Sequence, residues 1–112
     1  MKPWPLALVL VLAACGTKDR LPPTPLERDK FVDVLTASLL VEARVSHEMV
    51  VDKRMDSPVQ RYYDEMFRQQ GVSQDDFKRT YDIYAEHPEF LRAVYEDVLV
   101  KLQERRDKPK AH

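Results

Sequence analysis

The sequence predicts an all-α protein, a small four-helix domain set behind an N-terminal processing signal and a short tether. Three observations carry that expectation. Apolar residues recur every three or four positions from Phe31 to Leu102, the spacing that gathers side chains on one side of a helix. Serine, threonine, proline and glycine punctuate this run where helix starts and stops require them. No stretch of the run carries the period-two alternation of a half-buried strand.

The N-terminus comes first. Lys2 and the amino group supply a short positive region, residues 6–12 an apolar run, and Ala13-Ala14 the small residues that a signal peptidase accepts beside the cleaved bond. The apolar run is far shorter than the roughly 20 residues that cross a bilayer. The single cysteine, Cys15, closes the motif LAAC at residues 12–15, which resembles the bacterial lipobox, in which the cysteine is lipidated and becomes the first mature residue. The physics suits that role. One acyl chain of myristoyl length holds a protein only marginally, with an association constant of about 10⁴ M⁻¹, whereas two or three chains, palmitate among them, anchor it almost permanently. Residues 1–14 are therefore read as a lipoprotein signal peptide and Cys15 as the lipidation site. Residues 15–23 form the lipidated cysteine and tether, whose polar residues and Pro22-Pro23 pair disfavour packing and give it a reach of roughly 25 Å if extended.

The helical domain is expected over residues 24–106. Thr24-Pro25-Leu26-Glu27 has a helix-start signature, with Thr24 as N-cap, Pro25 at the first helical position and Glu27 closing a capping box. On a helical wheel Phe31, Val34, Leu35, Leu39, Val45 and Met49 fall on one side of a long first helix, with Asp33, Ala37, Arg44 and His47 opposite. The charged stretch DKRMD breaks it, and Ser57-Pro58 reads as a second cap-plus-proline start. Val59, Tyr62, Tyr63, Met66 and Phe67 then form a stripe that ends at Gly71. Ser73 caps a third helix with Asp76 as its partner, and Phe77, Thr80, Tyr81 and Tyr84 form its stripe. Pro88 forces a break near Glu86. Leu91, Val94, Tyr95, Val98 and Leu102 make the fourth stripe, with Lys101, Arg105 and Arg106 suiting the negative end of the helix dipole. Residues 107–112 read as a disordered basic tail.

Composition excludes several classes of function. Cleavage before Cys15 removes Lys2 from the 18 basic side chains and none of the 19 acidic ones, so the mature chain is nearly neutral and carries no nucleic-acid footprint. The two glycines, Gly16 and Gly71, cannot build a phosphate cradle or a dinucleotide fingerprint. There is no G-x-S-x-G and no C-x-x-C, and the three histidines are scattered, so neither a catalytic constellation nor a metal or cofactor site is expected. His87, before a proline, reads as a capping or solvent-exposed residue; Met49, Met55 and Met66 read as gap-filling or exposed; and Trp4 leaves with the signal peptide.

The stretch from Tyr62 to Leu99 runs YYDEMFRQQGVSQDDFKRTYDIYAEHPEFLRAVYEDVL. Its order of a tyrosine-bearing helix, a G-[IV]-S turn, F-x-x-[ST]-x-x-x-Y, a proline break and a helix with Y-x-x-V resembles a family of small Bacteroidota lipoproteins known as the domain of unknown function DUF4296. Upstream, LLVEARV is similar to the family's LHLAEA stretch, with Glu42 and Ala43 in register. Leu39 stands where a histidine is common and Ala37 where an aspartate is common. The resemblance implies a lipoprotein with a small helical fold, and it brings no assigned activity.

One residue breaks the apolar pattern. Glu42 points into the stripe of the first helix, where an unpaired carboxylate is costly, so it is expected to be a buried polar anchor. Tyr63, Tyr81, Tyr84 and Tyr95 are candidate hydroxyl donors, Thr80 another, and Arg79 or Arg92 a candidate ion-pair partner. The functional expectation is a non-enzymatic protein-binding or assembly module, held by the lipid on Cys15 at the periplasmic face of the outer membrane, with an envelope protein as partner. The outer membrane is favoured because Gly16 stands where an inner-membrane retention signal has aspartate, and Lys18-Asp19 is only a partial likeness to a surface-export signal. The alternative is a periplasmic holding factor for unfolded outer-membrane clients. An enzyme built on Glu42 and a tyrosine is disfavoured by the missing base–nucleophile pair. Replacing Cys15 with Ser is expected to leave an unprocessed, unlipidated precursor. Intact mass and detergent partitioning check this, and mature wild-type protein with a free thiol would sink the lipoprotein reading.

Overall fold

A computed structural model of the chain describes residues 20–56 and 58–107. The signal peptide, Cys15, the first part of the tether, the Ser57 cap and residues 108–112 of the tail lie outside the described residues. Four helices follow one another: α1 (Arg28–Val50), α2 (Val59–Gln70), α3 (Gln74–Ala85) and α4 (Pro88–Asp107). No strand occurs among the described residues. The fold is the all-α, four-helix domain that the periodicity predicts.

Three of the helix boundaries follow local chemistry. Gly71 adopts φ 71°, and the N–H groups of Gly71 and Val72 return to the carbonyls of Arg68 and Phe67, which closes α2. A Cβ at this position would meet nothing within 4 Å, so glycine is needed for the left-handed backbone and not for space. Ser73 Oγ accepts from the Asp76 N–H at 3.0 Å and starts α3. Pro88 is the first residue of α4, and the His87 carbonyl accepts from the N–H groups of Phe90 and Leu91 at 3.0 and 3.1 Å.

The start of α1 departs from expectation. The helix begins at Arg28, with Glu27 at the N-cap position and no side chain capping it. Thr24 Oγ1 donates to the Leu26 carbonyl at 2.6 Å, and the Leu26 N–H donates to Thr80 Oγ1 on α3 at 3.1 Å. Leu26 is buried in the core. Burying a leucine contributes about 1.5–3 kcal/mol, more than the ~1 kcal/mol of a typical N-cap. The tertiary contact therefore holds residues 24–26 out of the helix and leaves the capping box unformed. At α2, Pro58 stands one place outside the helix, at the N-cap position, and Val59 is the first helical residue.

Helix α1 is the central element. It packs against α2, α3 and α4, while α3 also packs on α4. Its N-terminal half is consequently buried on two faces. Phe31, Val32 and Leu35 join Leu26, Tyr84, Val94 and Val98 in one cluster, with Phe77, Tyr81 and Tyr95 packed around it. Val34 joins Met66 and Phe67 in a second, with Ala37 and Val41 alongside. Val72 and Phe77 touch both clusters. Ala37 thus faces α2 and not solvent, and Met49, expected in the apolar stripe, is exposed. The single-stripe wheel failed because Val34, Ala37 and Val41 form a second stripe at helical spacing, turned toward a second neighbour.

Rings connect the two clusters. Tyr63 meets Phe67 (6.4 Å between centroids), Phe67 meets Phe77 (5.8 Å), Phe77 meets Phe31 (5.7 Å), and Phe31 stacks on Tyr84 at 4.7 Å. At the surface, Arg28–Asp97 (2.6 Å) and Lys101–Asp33 (3.2 Å) tie α4 to α1, each worth about 0–1 kcal/mol at such exposed positions. Phe31→Ala is expected to destabilise the domain by about 3–5 kcal/mol, read as a lower urea midpoint in circular dichroism. Met55→Ala, at an exposed loop position, is expected to change stability by less than about 0.5 kcal/mol.

Candidate functional site

Helices α1 and α2 run antiparallel. Lys30 Nζ donates to the Gln70 carbonyl at 3.2 Å, Tyr63 OH to Glu42 Oε2 at 2.9 Å and Tyr62 OH to Glu48 Oε2 at 2.7 Å, so position rises along α1 as it falls along α2. Two grooves adjoin on this framework and share Glu42 in their linings. The first, of about 380 Å³, lies where α1 meets α3 and α4, with Leu39, Glu42, Lys78, Tyr81, Asp82 and Tyr95 among its walls. The second, of about 360 Å³, is formed by α1 and α2 alone and is lined by Val45, Met49, Val50, Val59 and Tyr63 besides Glu42 and Ser46.

Glu42 is not the buried anchor expected of it. It is exposed, and its partner is Tyr63. Tyr63 is one of the donors expected for it, and the candidates Thr80, Tyr84 and Tyr81 are engaged elsewhere. Thr80, fully buried, accepts from Leu26 and donates to the Asp76 carbonyl at 2.8 Å. Tyr84 is buried against Phe31. Tyr81 shares a hydrogen bond with Tyr95, their hydroxyl oxygens 3.3 Å apart. Arg79 pairs with Asp75 and Asp76 on its own helix. The wheel placed Glu42 in line with the apolar stripe, but a direction does not say whether packing covers it: the side chain stands between α2, whose Tyr63 it meets, and the groove bordered by α3 and α4.

The buried carboxylate of α1 is Glu48, which sequence reasoning missed. It accepts from Tyr62 OH, lies 3.4 Å from Arg44 Nε and 3.8 Å from Arg54 Nη1, and its carbonyl accepts from the Arg54 N–H at 2.9 Å. The Arg44 guanidinium also lies 3.9 Å from the centroid of the Tyr62 ring. This cluster clasps the loop after α1 to the helix. A signal existed: Glu48 continues the stripe of Val34 and Val41 toward α2, one turn after Arg44.

The phenols of the site are held protonated. Burial, with the Glu42 hydrogen bond and negative charge added, pushes the Tyr63 hydroxyl up to about 12. The bond to Tyr81, with burial, the Tyr81 charge and that of Glu42 added, does the same for Tyr95. Burial raises Tyr84, opposed by the Arg28 charge. At neutral pH these side chains are hydrogen-bond donors and not bases. His87 sits half-buried with its ring edge-on to Phe90 at 6.2 Å, and His47 lies 3.8 Å from Asp52 at the surface. Among the described residues no three His, Cys, Asp or Glu side chains gather as a metal ion requires, and no helix is long and apolar enough to cross a membrane.

A family model described as "Domain of unknown function (DUF4296)" matches residues 22–108, a span that takes in all four helices and both grooves. The chain belongs to the DUF4296 family. No match was found among curated proteins or among solved structures. The DUF4296 span begins after Cys15, so the family match covers the helical domain and does not reach the LAAC stretch at residues 12–15.

Spectrophotometric titration is expected to show Tyr63 and Tyr95 ionising near 12, above the ~10 of a free phenol. The folded state keeps these protons while the unfolded chain releases them. Their contribution to stability is therefore complete below pH ~10 and is lost as pH rises toward 12. Tyr63→Phe and Tyr95→Phe should each remove one late-titrating phenol, and release of both protons near pH 10 in the folded wild type would overturn the assignment.

Proposed function

We propose that this DUF4296 protein is a Bacteroidota envelope lipoprotein, anchored in the outer membrane through lipid on Cys15 and acting at the periplasmic face as a non-enzymatic protein-binding or assembly module. The observation that carries the binding role is the apolar end of the α1–α2 pair. Met49, Val50, Val51, Met55 and Val59 are all exposed there, next to the groove walled by Val45 and Tyr63. Exposed apolar residues scattered singly are ordinary, but Met49, Val50 and Val59 line one groove together, and such a grouping is the kind that marks an interaction surface. The LAAC motif supports the address. The exposed methionines Met49 and Met55 also suit the alternative, a holding factor that receives many unfolded clients.

In-cell crosslinking of the anchored protein is expected to capture a small, reproducible set of envelope proteins, and Cys15→Ser is expected to abolish that capture. An aggregation assay with an unrelated unfolded client separates the two readings. The module should give no protection at equimolar concentration, and suppression of aggregation would favour the holding factor instead.

A further inference from the structure

The chemistry of the two grooves specifies what kind of segment fits them. We propose that they receive an amphipathic helix of a partner protein, its apolar residues seated against Val45, Met49 and Val59 and a lysine or arginine within two turns of them paired with Glu42. The inference rests on the partner-binding reading above and names the partner's chemistry.

Shape is the first argument. The second groove lies between two antiparallel helices and has walls of valine, methionine and one tyrosine ring, the lining that takes the apolar face of a third helix. Val51 and Met55, on the loop that follows α1, are 62% and 84% exposed.

Charge is the second argument. Tyr63 engages one Glu42 oxygen, Oε2, and no described residue pairs with the other. Glu42 stands where the grooves adjoin, Asp82 lines the first groove without an ion pair among the described residues, and Lys78 is the cation in that lining, so the combined walls are net acidic. A helix bringing one basic residue beside its apolar stripe completes this arrangement, because a carboxylate covered by a partner without a countercharge loses hydration and gains nothing in return.

The same reasoning disfavours a second copy of this chain. A two-fold pairing centred on the second groove brings two Glu42 carboxylates into one interface, and no lysine or arginine lines that groove to neutralise them.

The test places a photo-crosslinking residue at Met49 of the full, membrane-anchored chain in living cells and sequences the crosslinked peptide. The expected adduct is one segment with apolar residues at helical spacing and a lysine or arginine within two turns of the crosslink. Glu42→Lys should lower the adduct yield about tenfold, and Glu42→Gln, which keeps an acceptor for Tyr63, about threefold. Reversing the partner's basic residue to glutamate should restore the yield with Glu42→Lys. Circular dichroism confirms that each variant is folded. An adduct to a second copy, a segment without a basic residue, or a yield indifferent to the charge at position 42 overturns the inference. The same label at Glu96, on exposed α4 surface, separates the two readings. A partner captured at Glu96 and not at Met49 overturns the groove assignment and leaves partner binding standing, and no adduct at either position overturns both.

Discussion

Phe31 has no exposed surface, and the architecture depends on what surrounds it. Its ring stacks on Tyr84 and meets Phe77 and Tyr81, so one side chain of α1 takes its packing from three residues of α3. Val94 and Val98 bring α4 into the same cluster, and Phe77 passes the contact on to Phe67 of α2. A domain this small cannot bury a broad core, and no disulfide reinforces it, since the chain has a single cysteine. Aromatic contacts are an efficient substitute. Each ring covers a large area, and each well-placed pair adds about 0.5–1.5 kcal/mol beyond its burial.

Burying α1 on two faces places polar residues inside, and the structure satisfies them at short range. Thr36 and Ser38 are nearly enclosed, yet their hydroxyls donate to the carbonyls of Val32 and Leu35 on their own helix at 2.7 and 2.9 Å. No tertiary partner is needed for either. Thr80 has the opposite task, because its hydroxyl accepts the N–H of Leu26 and so satisfies a donor that the late start of α1 would otherwise leave unpaired in the core. Among the described residues no buried side-chain nitrogen or oxygen lacks a partner.

The two glutamates in the second half of α1 show how the helix changes role along its length. Glu48 turns toward α2 and is closed in by Tyr62, Arg44 and Arg54, which fixes the loop that returns the chain to α2. Glu42 also meets α2, through Tyr63, but stays exposed to solvent between the two grooves. The N-terminal half of α1 is core and the C-terminal half is half-covered surface. The packed end of α1 thus keeps the fold, while the open end leaves the tyrosine hydroxyls near Glu42 at the rim of the grooves.

The sequence by itself determined the helix number, the Gly71 and Ser73 boundary, the Pro88 break and the family likeness, because each depends on chemistry within a few residues: a left-handed φ, a hydroxyl three places before an N–H, a ring without a donor. It also showed that Glu42 interrupts an apolar stripe. Only the tertiary structure decided the start of α1, where a contact between Leu26 and Thr80, 54 residues apart, overrides a sound local cap. It alone decided which glutamate is buried. A helical wheel orders side chains around an axis and carries no information about how far the neighbouring helices extend along it. Glu42 and Glu48 both lie on stripes that face other helices, and their burial differs because α2, with Tyr62 and the returning loop, closes over one, while the space beside the other is left as a groove.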